Sequence, residues 1–168
     1  MTPLDLTDMY RAALVQAVAA LDAWVHDVVL DMAVEILIGL RPPGSNTKLG
    51  LNLGATTQLL SAPNALELEM RSKALVNERL SVETFQKPDD IAKAFAMVGI
   101  TAIWSTAFGN AEAAKTALSV VVRRRNQIVH RCDMDPSGVA PYLTLSDTDA
   151  LTAIDTIEDT VKALDSLL

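Results

Sequence analysis

An all-α fold follows from three features of this chain. Apolar residues recur at spacings of three and four, Asn, Ser, Gly and Pro punctuate the segments between them, and no period-two run is long enough for a strand. Residues 8 to 38 carry Leu14, Val18, Leu21, Val25, Val28, Met32 and Ile36 on one stripe, which predicts a single long amphipathic helix closed by Gly39 and then Pro42-Pro43. Its acids Asp27, Asp31 and Glu35 form an i, i+4 row and read as a solvated face. From Pro42 to Ala62 the composition is that of loops, with a short helix near residues 54 to 60. A helix from Ala65 to Leu80 follows, with Asn64 as its N-cap.

Lys87-Pro88-Asp89-Asp90 opens the next short helix, with proline in the first turn and carboxylates at the positive end of the dipole. It ends at Gly99. Residues 100 to 107 supply one or two further turns around Trp104. Gly109-Asn110 caps a long helix over residues 111 to 131, and the turn-rich stretch 132 to 145 separates it from the last one. There Ser146-Asp147-Thr148-Asp149 has the form of a capping box, and Leu151, Ile154, Ile157, Val161, Leu164 and Leu168 mark the apolar stripe. No internal repeat is present, and 168 residues, half of them apolar, suit one domain with a real core.

Composition limits the function classes. One cysteine, Cys132, forms no internal disulfide, and no secretory signal precedes the first helix, so the expected location is a reducing cytoplasm. The uncharged stretches 49 to 66 and 94 to 111 are broken by Gly and polar residues, so neither reads as a membrane span. The net charge of −7 argues against bulk binding to a polyanion. Its distribution is uneven. Residues 1 to 40 set Asp5, Asp8, Asp22, Asp27, Asp31 and Glu35 against Arg11, and residues 147 to 168 set six acids against Lys162. Residues 111 to 131 set Lys115, Arg123, Arg124, Arg125 and Arg131 against Glu112, a basic island that suits a focused phosphate site.

Within that island, Arg125-Asn126-Gln127-Ile128-Val129-His130 places a permanent cation, an amide and an imidazole inside two helical turns. The stripe Ala114, Ala117, Leu118, Val121, Val122, Ile128 and Val129 has a gap, and Arg125 falls in it. A guanidinium there needs a carboxylate, carbonyl groups, a bound anion or a subunit seam. Asn126 and His130 share a face beside the stripe, whereas Arg124, Gln127 and Arg131 are expected to point outward. An i, i+5 pair is about 140° apart on an ideal helix, so either the Arg125 stem wraps round or the two groups meet across a dimer. His130 lies in the last turn, where the dipole favours an imidazolium able to exchange a proton.

These residues resemble the HEPN superfamily, the higher eukaryotes and prokaryotes nucleotide-binding helical bundles, whose nuclease motif is Arg, four to six residues, then His, often with Asn after the Arg. RRRNQIVHRCDMDP at 123 to 136, LDAWVHDVV at 21 to 29, and TFQKPDDIAKAF with GITAIW between 84 and 104 are similar to the RiboL-PSP type of that group. The resemblance spans residues 10 to 166. It implies a bundle of four main helices plus short extra ones, a homodimer joined at the motif, and RNA cleavage without metal or other cofactor. Such proteins serve as toxins, phage-defence effectors or RNA-processing enzymes, so an antitoxin or regulatory protein is an expected partner.

Cleavage by 2′-hydroxyl attack needs a base, an acid and positive charge on the phosphorane. His130 suits base or acid, Arg125 the charge, and Asn126 an orienting donor. Arg123, Arg124 and Arg131 would guide phosphates, or form a solvated face. Asp22, His26 and Asp27 fall in a matched stretch and would support the motif from behind, the simpler reading of His26 being a surface pair with Asp22. His26, His130 and Cys132 are too few for a recognisable metal set. The competing readings are a non-catalytic module that binds nucleotide, RNA or protein, and a purely structural dimerisation bundle.

Overall fold

The computed structural model describes residues 6–44 and 47–168, and among them the chain forms seven helices and no strand. They are α1 (Thr7–Leu37), α2 (Leu53–Leu60), α3 (Ala65–Leu80), α4 (Pro88–Met97), α5 (Ile103–Ala107), α6 (Ala111–Arg131) and α7 (Asp147–Asp165). Four are long, α1, α3, α6 and α7, and three are short. Asp5, counted above in the acidic N-terminal stretch, lies outside the described residues.

Local chemistry sets most of the ends. Asn64 accepts a hydrogen bond from the Glu67 N–H, Asn52 does the same for Ala55, and Ser146 and Asp149 close a reciprocal capping box. At the end of α1, Gly39 takes φ +80°, and the Leu40 N–H reaches the Glu35 carbonyl at 2.8 Å while the Gly39 N–H reaches Ile36. This is the left-handed closure that satisfies the last carbonyls, and it favours a residue without Cβ.

The chain divides into two compact units. The first takes α1 as far as Leu21, then Gln86–Pro88 and Trp104–Leu168; the second takes Asp22–Phe85 and Asp89–Ile103. In the first, α6 packs on α7 over Leu118, Val121, Val122, Ile157 and Leu164. Trp104 is a packing anchor there, its Nε1–H donating to the Pro88 carbonyl at 2.9 Å and its ring stacked on Phe108. In the second, α2 packs on α3, Trp24 lies 6.1 Å from Phe95, and Gly44 and Gly99 touch backbone to backbone.

The α1 stripe is largely as expected, and that of α7 is rotated. In α1 the buried positions are Leu14, Val18, Leu21, Val25, Val29 and Met32; Val29 is fully buried, while Val28 and Ile36 are only half-buried. In α7 the buried face is Ala150, Ala153, Ile157, Thr160 and Leu164, leaving Leu151 59% and Leu168 45% exposed. Small residues thus occupy part of the inner face, which spacing alone does not reveal. In α6, Ala117 and Val129 of the expected stripe are exposed as well.

By length and composition α1 is also apolar enough to cross a membrane. Its stripe from Leu14 to Met32 is nevertheless buried within the protein, as in a core helix.

Candidate active site

The site is built on α6. Asn110 accepts from the Ala113 N–H at 3.1 Å to start the helix, Glu112 sits in its first turn, and His130 and Arg131 occupy the last, each matched to the dipole. Leu118, Val121 and Val122 anchor it in the first unit. Arg125 lies four residues after Val121 and three after Val122, so its stem leaves the helix on the core face.

The guanidinium has no carboxylate partner among the described residues. Its Nε is buried without a hydrogen-bond partner, and its Nη1–H donates to Asn126 Oδ1 at 3.0 Å. That bond turns the guanidinium toward the Asn126 side of the helix. Asn126 is half-buried, whereas His130 is exposed and makes no hydrogen bond among the described residues. A cation seated on a core face with a buried, unsatisfied donor is costly by about 1–3 kcal/mol, and a bound anion would relieve that cost.

The neighbouring arginines separate into two groups. Arg123 and Arg131 are exposed and unpaired among the described residues, as phosphate guides or a solvated face require. Arg124 corrects the expectation of an outward side chain. It is 18% exposed and points to Asp133, with Nη1 2.8 Å from Oδ1 and Nη2 donating to Oδ2 at 2.9 Å, and it also donates to the Thr144 carbonyl. A fully buried carboxylate draws it inward, and the remaining N–H groups are spent on backbone. Gln127, likewise expected outward, is half-buried and reaches the Met134 carbonyl at 3.4 Å.

Asp133 was not singled out from the sequence. Its side chain is 0% exposed, and Arg11 Nε donates to Oδ2 at 2.8 Å from the other side. Contact with Asp133 raises the Arg11 pKa above its ordinary value, with burial opposing. Arg11 also pairs with Asp8, donates to the Leu143 carbonyl, and lies under the Tyr142 ring at 5.6 Å. The clue was present in the sequence: Arg11 is the lone cation among six acids in residues 1 to 40.

The turn after α6 is tightly specified. Cys132 and Asp133 both adopt left-handed backbone, φ 49° and 58°, and the Asp133 N–H returns to the Gln127 carbonyl. Further on, Asp135 accepts from the Ser137 hydroxyl, the Ser137 N–H and the Ala140 N–H, which holds its carboxyl below the usual range. A cleft of about 330 Å³ lined by Asp8, Arg11, Ile128, Cys132 and Tyr142 opens beside this turn, on the other side of α6 from His130. Cys132 is exposed and unpaired.

The residues expected behind the motif belong to the second unit. The His26 ring nitrogens face the Asp22 and Leu80 carbonyl oxygens at 2.9 and 3.3 Å, and the ring packs on Phe85 at 4.5 Å. Asp22 Oδ1 accepts from the Phe85 N–H and lies 3.6 Å from His26 Nδ1. The pair thus ties α1 to the end of α3 and the residues after it. Asp27 is exposed. Among the described residues no three His, Cys, Asp or Glu side chains converge as a metal site.

No family model matches this sequence, no curated protein matches it, and no solved structure matches its fold.

Proposed function

We propose that this chain is a metal-independent endoribonuclease of the HEPN kind, acting as a homodimer in which two α6 motifs face one phosphodiester. The observation that carries the reading is the Arg125 guanidinium, seated on the core face without a carboxylate, its Nε buried and unsatisfied and its Nη1 on Asn126. Such a group is preorganised for an anion that the described residues of one chain do not supply.

In the reaction, one His130 takes the proton of the ribose 2′-hydroxyl as that oxygen attacks the adjacent phosphorus. Arg125 carries the charge gathered on the phosphorane, and Asn126 orients the guanidinium. The 5′-oxygen then leaves with a proton from His130 of the partner subunit, giving a 2′,3′-cyclic phosphate and a 5′-hydroxyl end. Arg123 and Arg131 extend the positive surface along the RNA backbone. A cytoplasmic toxin or phage-defence effector, held in check by an antitoxin or regulatory protein and free of the membrane, fits this activity.

A second reading rests on His130, whose exposed ring makes no hydrogen bond among the described residues. Under it the helix binds nucleotide, RNA or protein without cleaving. Purified protein incubated with labelled RNA and EDTA separates the two. EDTA-resistant cleavage that disappears in folded Arg125→Ala and His130→Ala supports the nuclease; retained binding without cleavage by the unaltered protein supports the module.

A further inference from the structure

We infer that Asp133 is a positioning residue of this site, its buried carboxylate clamping the end of α6 so that Arg125 and His130 hold their places; the inference rests on the nuclease reading above. Three observations meet here. The carboxylate is fully buried between Arg11 and Arg124, and those guanidiniums also reach the Leu143 and Thr144 carbonyls, so one group joins α1, α6 and the loop that follows. The backbone at Cys132 and Asp133 is left-handed in two consecutive non-glycine residues, an arrangement that persists only where its surroundings over-determine it. His130 makes no side-chain hydrogen bond among the described residues, so its location depends on where the helix end is held.

The physical role follows from what the clamp constrains. Arg124 is the residue before Arg125, and drawing its side chain to Asp133 tethers the end of α6 in the rotation that its apolar contacts set. That rotation puts Arg125 on the core face beside Val121 and Val122. At the other end, the Asp133 N–H on Gln127 and the Leu143 N–H on the Asp133 carbonyl hold the last turn, which carries His130. The clamp also acts on charge. Asp133 compensates Arg11 and Arg124, while Arg125 has no acid partner among the described residues. Apolar packing could close this turn as stably as a buried ion pair does, so the charged triad gains in geometry what it lacks in net stability.

Two variants test this. Asp133→Asn keeps the shape and tolerates left-handed backbone, and Arg11→Gln breaks the clamp from α1 without touching α6. Single-turnover and steady-state RNA cleavage are measured beside thermal melting and the ring signals of the two histidines, His26 and His130. The expected result in both variants is kcat lowered at least about tenfold with KM within about twofold. The His130 ring signals shift and those of His26 stay. Folded variants with wild-type kcat and an unmoved His130 ring overturn the inference. If Asp133→Asn does not fold, Arg11→Gln decides by the same criteria. If the unaltered protein cleaves no RNA, the nuclease reading fails by itself, and the His130 ring still decides: a shift in Arg11→Gln upholds the clamp and no shift overturns it.

Discussion

Arg124 and Asp133, nine residues apart, meet through both carboxylate oxygens, with Nη1 2.8 Å from Oδ1 and Nη2 2.9 Å from Oδ2. The contact turns one of three consecutive arginines into the protein and leaves its neighbours with different tasks. Arg123 faces solvent, and Arg125 occupies the core face with no acid partner among the described residues. Of the three, only Arg124 is paired with an acid among the described residues.

Replacing Arg125 tests function against stability. Arg125→Met removes a half-buried cation with an unsatisfied Nε and keeps an unbranched stem on the core face. Stability is expected to rise by about 1 kcal/mol, roughly 3 °C in Tm, while RNA cleavage falls by at least about 100-fold. Thermal melting and a cleavage assay read both; a destabilised variant would show that the guanidinium is satisfied after all.

Under the proposed reaction, proton transfer by paired histidines would give cleavage a bell-shaped pH dependence, one limb from each role. A profile that stays flat from about pH 5 to 9 would remove His130 as proton carrier. His130→Ala is expected to lower kcat by about 10²–10⁴-fold with the melting temperature little changed, because the ring is exposed and makes no hydrogen bond among the described residues.

The capping box at α7 makes stability depend on acid. The Ser146 N–H and hydroxyl hold the Asp149 carboxyl below its ordinary value of 3.8. A depressed folded pKa contributes stability that is present above the unfolded value and is lost as pH falls through the folded one. Melting curves of wild type and Asp149→Asn should therefore differ at neutral pH and converge in acid; a gap that persists at about pH 2 would contradict the assignment.

Rotation of α7 separates two residues that share one apparent stripe. Ile157→Ala is expected to cost about 2–5 kcal/mol, and Leu151→Ser to stay within about 0.5 kcal/mol. Comparable losses in the two by denaturant unfolding would return Leu151 to the core.

Gly99 has φ +87°, and a Cβ there would sit 2.8 Å from the Gly44 Cα. Gly99→Ala is expected to lose more than about 1 kcal/mol, since backbone on backbone has no soft side chain to yield. An unfolding midpoint equal to that of wild type would contradict the close approach.

What the sequence determined by itself was local. Asn64, Asn110, Ser146 with Asp149, Pro88 and Gly39 stop and start helices through bonds or torsions that span a few residues, so all seven helices and their order were legible before any coordinates. Arg125 also announced itself, because a cation in the gap of an apolar stripe conflicts with its surroundings within one helix. Tertiary structure alone decided which way each helix turns and which charges cancel. Val29 replaces Val28, Ala150 and Ala153 lie inside while Leu151 lies outside, and Arg124 is spent on Asp133 together with Arg11, 122 residues away from that carboxylate. Helix rotation is set by the shape of the neighbour and an ion pair by the meeting of distant segments, and neither leaves a periodic trace in the chain.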